Sequence, residues 1–156
     1  MPVKILVVSD SHGNTTALER IVSLEKPFDY LVHCGDGVAD LMHVQLPGNP
    51  FVLKVSGNID RARGMQIEQK LIETIEGFKV YIIHGDTLHV HRGLSGLYDD
   101  TVGAGCDVAL FGHTHLQYLS EKKPWLFNPG ECRGGYYGVI SIEEDVNFFH
   151  RREKHM

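Results

Sequence analysis

The stretch Val3-Lys4-Ile5-Leu6-Val7-Val8-Ser9-Asp10-Ser11-His12-Gly13 decides the fold, because a run of mostly aliphatic residues passes directly into a polar loop closed by glycine. Such a run reads as a strand buried on both faces, with the loop beyond its carboxyl end. Asn14 or Thr15 then caps a helix in which Leu18, Ile21, Val22 and Leu24 or Glu25 keep a rough 3.6-residue period until Pro27 stops it. Tyr30 to His33 resumes an apolar strand. Strand, helix and strand in this order call for parallel pairing.

The pattern recurs along the chain. Gly35, Asp36 and Gly37 close the second strand, a short helix is expected over 38–44, and a third strand over 51–55 is closed by Ser56, Gly57 and Asn58. From Gln66 the texture changes. Residues 70–75 and 78–83 flank Glu76 and Gly77 in the manner of an antiparallel hairpin, and the second of these strands ends in His84, Gly85 and Asp86. A glycine-punctuated helix near 93–104 leads to a strand over 107–111 that ends in Gly112, His113, Thr114 and His115. Strands over 125–128, 136–142 and 146–150 give a mostly antiparallel ending. With 156 residues, 42% of them hydrophobic and 22% charged, the chain suffices for one core and falls short of two ordinary domains. A single domain over 1–156 is the reading.

Composition excludes several function classes. The longest apolar runs are strand-sized, whereas a membrane span needs about 20 apolar residues, and no secretory signal is read, so a cytoplasmic protein is expected. Cys34, Cys106 and Cys132 are odd in number and lack CxxC spacing, which disfavours both a disulfide framework and a thiolate zinc site, and they read as small, partly buried hydrophobes. Fifteen basic against twenty acidic residues give a net charge of -5, so non-specific binding of nucleic acid is not expected. Only the tail from His150 to Lys154 is locally basic.

In open sheets built from strand-helix-strand units, the loops beyond the strands' carboxyl ends gather on one rim. Here that rim carries Asp10 and His12, then Asp36, Asn58, His84, and His113 with His115, nearly all beside a glycine that permits sharp turns and close approach to a ligand. Taken singly, the aspartates and Asn58 are turn or cap residues and His84 a core histidine. Taken jointly, they are the oxygen and nitrogen donors that a borderline divalent cation prefers. Seven side chains exceed one tetrahedral ion. Two ions about 3.5–4 Å apart, sharing a carboxylate, would use all seven and leave positions open for in-line displacement at phosphorus.

Asp10-Ser11-His12, Gly35-Asp36, Gly57-Asn58, His84-Gly85 and Gly112-His113-Thr114-His115, in this order, resemble the signature of the calcineurin-like metallophosphoesterase superfamily. The small size and Asn128-Pro129-Gly130 make the chain similar to its compact prokaryotic phosphodiesterase branch. The resemblance implies an α/β fold, a two-sheet mixed β sandwich flanked by helices. It places one metal on Asp10, His12, Asp36 and His115 and the other on Asp36, Asn58, His84 and His113, with Asp36 bridging and Asp36, Asn58 and His113 as catalytic residues. It also implies two divalent ions per chain, manganese first, with iron, nickel or zinc as alternatives, and a metal-bridging hydroxide that attacks a small phosphodiester in line.

Two departures stand out. Where the family carries histidine or cysteine after the asparagine motif, able to protonate a leaving group, this chain has Ile59, so Asp60 becomes the alternative acid, against its reading as a surface or turn residue. Glu131 replaces the serine usual after Asn-Pro-Gly, which removes expected phosphate contacts. Arg61, Arg63, Arg92 and Arg133 are candidate substrate clamps. Among the other histidines, His33 either supports a metal ligand or packs on the sheet. His89 and His91 compete with His84 as ligands, and His43, His150 and His155 have no assigned role.

Two other functions share this fold: a phosphomonoesterase on the same metals, and a protein-interaction scaffold of the kind found in the small retromer subunit, whose relatives lose ligands. All seven donor positions are filled here, which favours the enzyme. The reading leaves room for a homo-oligomer.

Overall fold

A computed structural model describes residues 2–154, so His155 lies outside the described residues. In chain order the elements are β1 (Val3–Val8), α1 (Thr15–Glu25), β2 (Tyr30–His33), β3 (Phe51–Lys54), α2 (Asn58–Ala62), β4 (Lys70–Ile75), β5 (Phe78–Ile83), α3 (Ser95–Gly103), β6 (Val108–Leu110), β7 (Tyr118–Leu119), β8 (Trp125–Asn128), β9 (Tyr136–Ile142) and β10 (Val146–Arg152). They form two five-stranded mixed sheets, ordered β10-β9-β1-β2-β3 and β4-β5-β6-β8-β7. The strand-helix-strand units pair as their spacing demands, β1 with β2 and β2 with β3 in parallel. β4 and β5 are the expected antiparallel hairpin.

The uninterrupted apolar runs follow from where each strand face goes. Side chains alternate along a strand, and in β1 Ile5 and Val7 face the second sheet while Leu6 and Val8 face α1. β5 and β6 do the same, with Val80, Ile82, Val108 and Leu110 between the sheets and Tyr81, Ile83, Ala109 and Phe111 under α3. Both faces are therefore dry. α1 is held by Ala17, Leu18, Ile21 and Val22 on its buried face, and Asn14 is its cap, its Oδ1 accepting the Ala17 amide at 3.1 Å. At the sheet-sheet interface Phe127 leans across Gly138, where an added Cβ would collide with the ring.

Several expectations change at this level. The helix expected over 38–44 is a short 3₁₀ segment, Val38–His43. Asn58, expected in the loop that closes the third strand, opens α2, whose five residues are too few to show a period. The two-residue β7 was likewise invisible in the sequence. Cys34, Cys106 and Cys132 are free thiols, all buried rather than partly so. No helix among the described residues is long and apolar enough to cross a membrane.

Candidate metal centre

The loops after β1, β2, β3, β5 and β6 meet where the two sheets share one end, and they bring together side chains from both sheets. Asp10 Oδ1 lies 3.2 Å from His115 Nε2, 3.5 Å from His12 Nε2 and 3.9 Å from His84 Nε2. Asp36 Oδ2 lies 3.1 Å from His84 Nε2. The donor atoms fall into two groups, Asp10, His12 and His115 on one side and Asp36, His84 and His113 on the other, each within 4.8 Å. Asp10, His12, Asp36, His113 and His115 all have positive φ, between 44° and 70°. L residues rarely adopt that region, and such strain concentrates at functional sites. It also explains how His113 and His115, two apart, reach different groups: residues 111–117 are irregular, so strand alternation does not apply.

Each carboxylate is fixed through one oxygen and presents the other. Asp10 Oδ2 accepts the Ser9 hydroxyl at 2.6 Å and the His113 amide at 3.2 Å, while its buried Oδ1 has no hydrogen bond. Asp36 Oδ1 accepts the Ile59 amide at 2.9 Å, which leaves Oδ2 toward His84. His84 donates Nδ1–H to the Cys34 carbonyl at 2.7 Å, which turns its buried Nε2 toward Asp36 and lets it offer a lone pair whenever the ring is neutral. The glycines make these approaches feasible: a Cβ at Gly57 would strike Asp36 Oδ1, and one at Gly112 would strike the Ser9 hydroxyl and lie 2.7 Å from Asp10 Oδ2. They serve close approach of loop to loop, where the sequence suggested close approach to a ligand.

Asp10 Oδ1, His12 Nε2, Asn58 Oδ1 and His84 Nε2 are buried polar atoms without a well-formed hydrogen bond, Asp10 Oδ1 facing His115 Nε2 at 3.2 Å and His84 Nε2 facing Asp36 Oδ2 at 3.1 Å. Unmade bonds of this kind are costly, and three of these atoms belong to residues of the two donor groups, which fits divalent cations held there. Burial raises the Asp10 pKa, but contacts with His115 and His12, the His84 charge and the Ser9 hydroxyl outweigh it and hold the group far below the carboxylate range. Burial likewise raises Asp36, and His84 brings it down. Burial works against charge on His84, while the Asp36 and Asp10 carboxylates raise it. His113 is lowered by burial and by the His84 charge, whereas Asp10 raises His115.

The surrounding residues sort differently from their sequence reading. His33 is fully buried. Its Nδ1 accepts the Gly35 amide at 3.0 Å, its Nε2 meets the Ser11 hydroxyl at 3.0 Å, and Ser11 donates to Asp40 at 2.6 Å. Burial lowers its pKa to about 4, so it is a neutral prop for the Asp36 loop. Asp60 is neither a surface residue nor an acid facing solvent. It is 3% exposed and accepts the amides of Asp36 (2.7 Å), Gly57 (2.9 Å), Gly37 (2.9 Å) and Val38 (3.2 Å). Glu131 Oε2 lies 3.3 Å from His115 Nδ1 and 3.2 Å from Arg133, so it orients a candidate ligand.

Arg61 is bound to Asp86 and to the Ser56 carbonyl, which removes it from the candidate clamps. Arg63, Arg92 and Arg133 are exposed. His89 and His91 belong to neither donor group, although His91 touches the His113 ring at 5.5 Å. His43 is exposed, and His150 stacks on Phe127 and meets the Asn128 carbonyl at 2.8 Å. Asn128, which the sequence offered only as part of a motif, braces the His113 loop by donating to the Gly112 carbonyl and the Thr114 hydroxyl.

Residues 3–144 match the calcineurin-like phosphoesterase superfamily domain. The chain is 30% identical to the probable metallophosphoesterase YsnB of Bacillus subtilis over 154 residues, covering 92% of this chain and 87% of that protein. Among solved structures it resembles a conserved uncharacterized protein of Streptococcus pneumoniae described as a phosphoesterase (TM-score 0.74, 21% identity, 95% of this chain and 89% of that one). It also resembles an archaeal phosphodiesterase (0.71, 20%, 96% and 100%) and Vacuolar Protein Sorting 29 of Cryptosporidium parvum (0.70, 16%, 97% and 99%). At these identities the structural likenesses establish the two-sheet fold alone. The donor-bearing strand ends and the match over residues 3–144 concern the same loops, and on that ground the chain belongs to the calcineurin-like phosphoesterase superfamily, whose members are metal-dependent phosphoesterases.

Proposed function

We propose that the chain is a phosphodiesterase working with two divalent cations, one held by Asp10, His12, Asp36 and His115 and the other by Asp36, Asn58, His84 and His113. The observation that carries this reading is the pair of donor groups, Asp10, His12 and His115 beside Asp36, His84 and His113, drawn from loops of both sheets and only 3.9 Å apart between Asp10 Oδ1 and His84 Nε2. A pair of such cations, when bound, lowers the pKa of water and neutralises charge on a phosphoryl group. An oxygen and nitrogen donor set without thiolate suits Mn(II).

The protein's own part is to hold those donors in place. Ser9, the His113 amide and the Ile59 amide fix the carboxylates, and Asp60, Glu131 and the Cys34 carbonyl fix what surrounds them. Asn58 and His113 are the residues this reading assigns, with Asp36, to contact with the reacting phosphoryl group. The commitment of Arg61 to Asp86 favours a diester, because a monoester dianion calls for additional cationic groups around its extra charge. Three free, buried thiols suit a reducing compartment such as the cytoplasm.

The test is turnover of bis(4-nitrophenyl) phosphate and 4-nitrophenyl phosphate by protein loaded with Mn(II). The expected result is a higher kcat/KM on the diester. Preference for the monoester would replace the reading with a phosphomonoesterase. Loss of both activities with two metals bound would favour a scaffold.

A further inference from the structure

His113 belongs to two environments at once. One side of the residue contributes to the donor group with Asp36 and His84, and the residue also lines a cavity of about 560 Å³. The other walls are mostly apolar: Val90, Leu94, Phe111, Leu116 and Tyr118, with Arg92 among the lining residues. Leu116 is 70% exposed and Tyr118 42% exposed, two large side chains left in water immediately after the His113–His115 loop. A volume of this size lies within the usual range for small-molecule sites, roughly 300–1,000 Å³, and apolar walls with a few polar groups are their ordinary lining. A phosphoryl group held at the metal centre would therefore direct one of its ester substituents past His113 into this space. Arg133 and Glu131, paired at 3.2 Å beside His115, are not among the residues that line this cavity.

We propose that the cavity beside His113 binds a flat apolar substituent of the substrate, a nucleobase or another aryl group, joined to the phosphoryl group at the metal centre. This rests on the phosphodiesterase reading and adds to it a substrate class. Leu116 and Tyr118 are its specificity residues. The walls present mostly apolar contact, so they distinguish an aromatic substituent from a methyl group more than one base from another.

Three diesters with the same leaving group test it: methyl, phenyl and thymidine-5′ 4-nitrophenyl phosphates, assayed with the Mn(II)-loaded protein. The phenyl and thymidine esters should exceed the methyl ester in kcat/KM by roughly tenfold or more, and Leu116→Asp should reduce that ratio to near one. Leu24→Asp, at an exposed position on α1 away from the cavity, should keep it. An advantage for thymidine alone assigns the site to nucleosides, and an equal advantage for phenyl assigns it to aryl groups in general. Equal rates on all three esters, or a ratio that survives Leu116→Asp, overturns the proposal.

A second arm separates this from failure of the phosphodiesterase reading. Adenosine, with ribose as control, is titrated into metal-free protein while the Val90 and Leu116 methyl resonances are followed by NMR. Shifts with adenosine and not with ribose support the cavity whatever the enzyme's preferred ester. Their absence overturns it.

Discussion

The Asp60 carboxylate accepts the backbone N–H of Asp36 at 2.7 Å, and through it the helix after β3 sets the loop after β2. The same carboxylate also takes the amides of Gly57, Gly37 and Val38. Asp60→Asn offers a single acceptor oxygen and turns an amide NH2, itself a donor, toward those N–H groups. Metal affinity should fall about 10- to 100-fold, in the range seen when supports of metal ligands are lost. Calorimetric titration with Mn(II) checks it, and unchanged affinity would refute the role assigned to Asp60.

Ile59 stands next to Asn58, is 36% exposed, and gives its amide to Asp36 Oδ1. No side chain at this position protonates a leaving oxygen, and Asp60 is fully occupied with backbone amides. The rate should therefore depend steeply on leaving-group acidity, since a positioned general acid contributes roughly 100- to 10,000-fold. A series of aryl and alkyl diesters measures the slope. Ile59→His should flatten it by helping poor leaving groups, whereas Asp60→Asn should not steepen it. A flat slope in the native protein, with chemistry rate-limiting, would show that another acid exists.

His113 and His115 belong to different donor groups. His113→Ala and His115→Ala should each lower bound metal from about two equivalents to about one, and the double variant should hold neither. Asp36→Ala should affect both ions, because both assigned sites share it. Metal analysis after dialysis decides this. Retention of two equivalents by Asp36→Ala would sink the shared-carboxylate assignment.

Phe127 crosses the space above Gly138, where a side chain has no room. Gly138→Ala should destabilise the fold by about 1–3 kcal/mol through overpacking between the sheets. Urea denaturation measures it, with an unchanged midpoint as the contrary result.

Glu25 is buried on the inner side of α1 and accepts from Tyr137 at 2.5 Å and Arg151 at 2.8 Å, with Lys4 at 3.0 Å. Burial alone would raise its pKa, but these three partners bring it below the usual 4.5. A depressed carboxylate stabilises the fold fully above its unfolded value, and the contribution fades as pH falls through the folded one. Glu25→Gln should thus be destabilised at pH 7, with the gap to the native protein closing only below pH 4.5. A gap that does not change between pH 7 and 3 would show that the charge contributes nothing.

How far the chain could be read without its structure depended on range. The donors at the strand ends were legible because each follows its own strand within a few residues, and the parallel units were legible because α1 carries a 3.6-residue period between two apolar strands. The props were not. Asp60 acts on a loop 24 residues away, Glu131 reaches His115 from beyond β8, and Arg61 is neutralised by Asp86 across the two sheets. Local pattern carries no information about such partners. That Asn58 opens a helix was hidden for the same reason, since a five-residue helix is specified by what it packs against.

The left-handed backbone at Asp10, His12, Asp36, His113 and His115, together with the acceptors that face one another there, makes the metal-free protein a tense state. On the proposed assignment, cation binding is linked to folding by mass action: each tenfold rise of free metal above the dissociation constant adds about 1.4 kcal/mol for each ion bound. Resistance to proteolysis, and with it the protein's lifetime, then follows metal supply. Starvation for the cation would remove the enzyme as well as silence it.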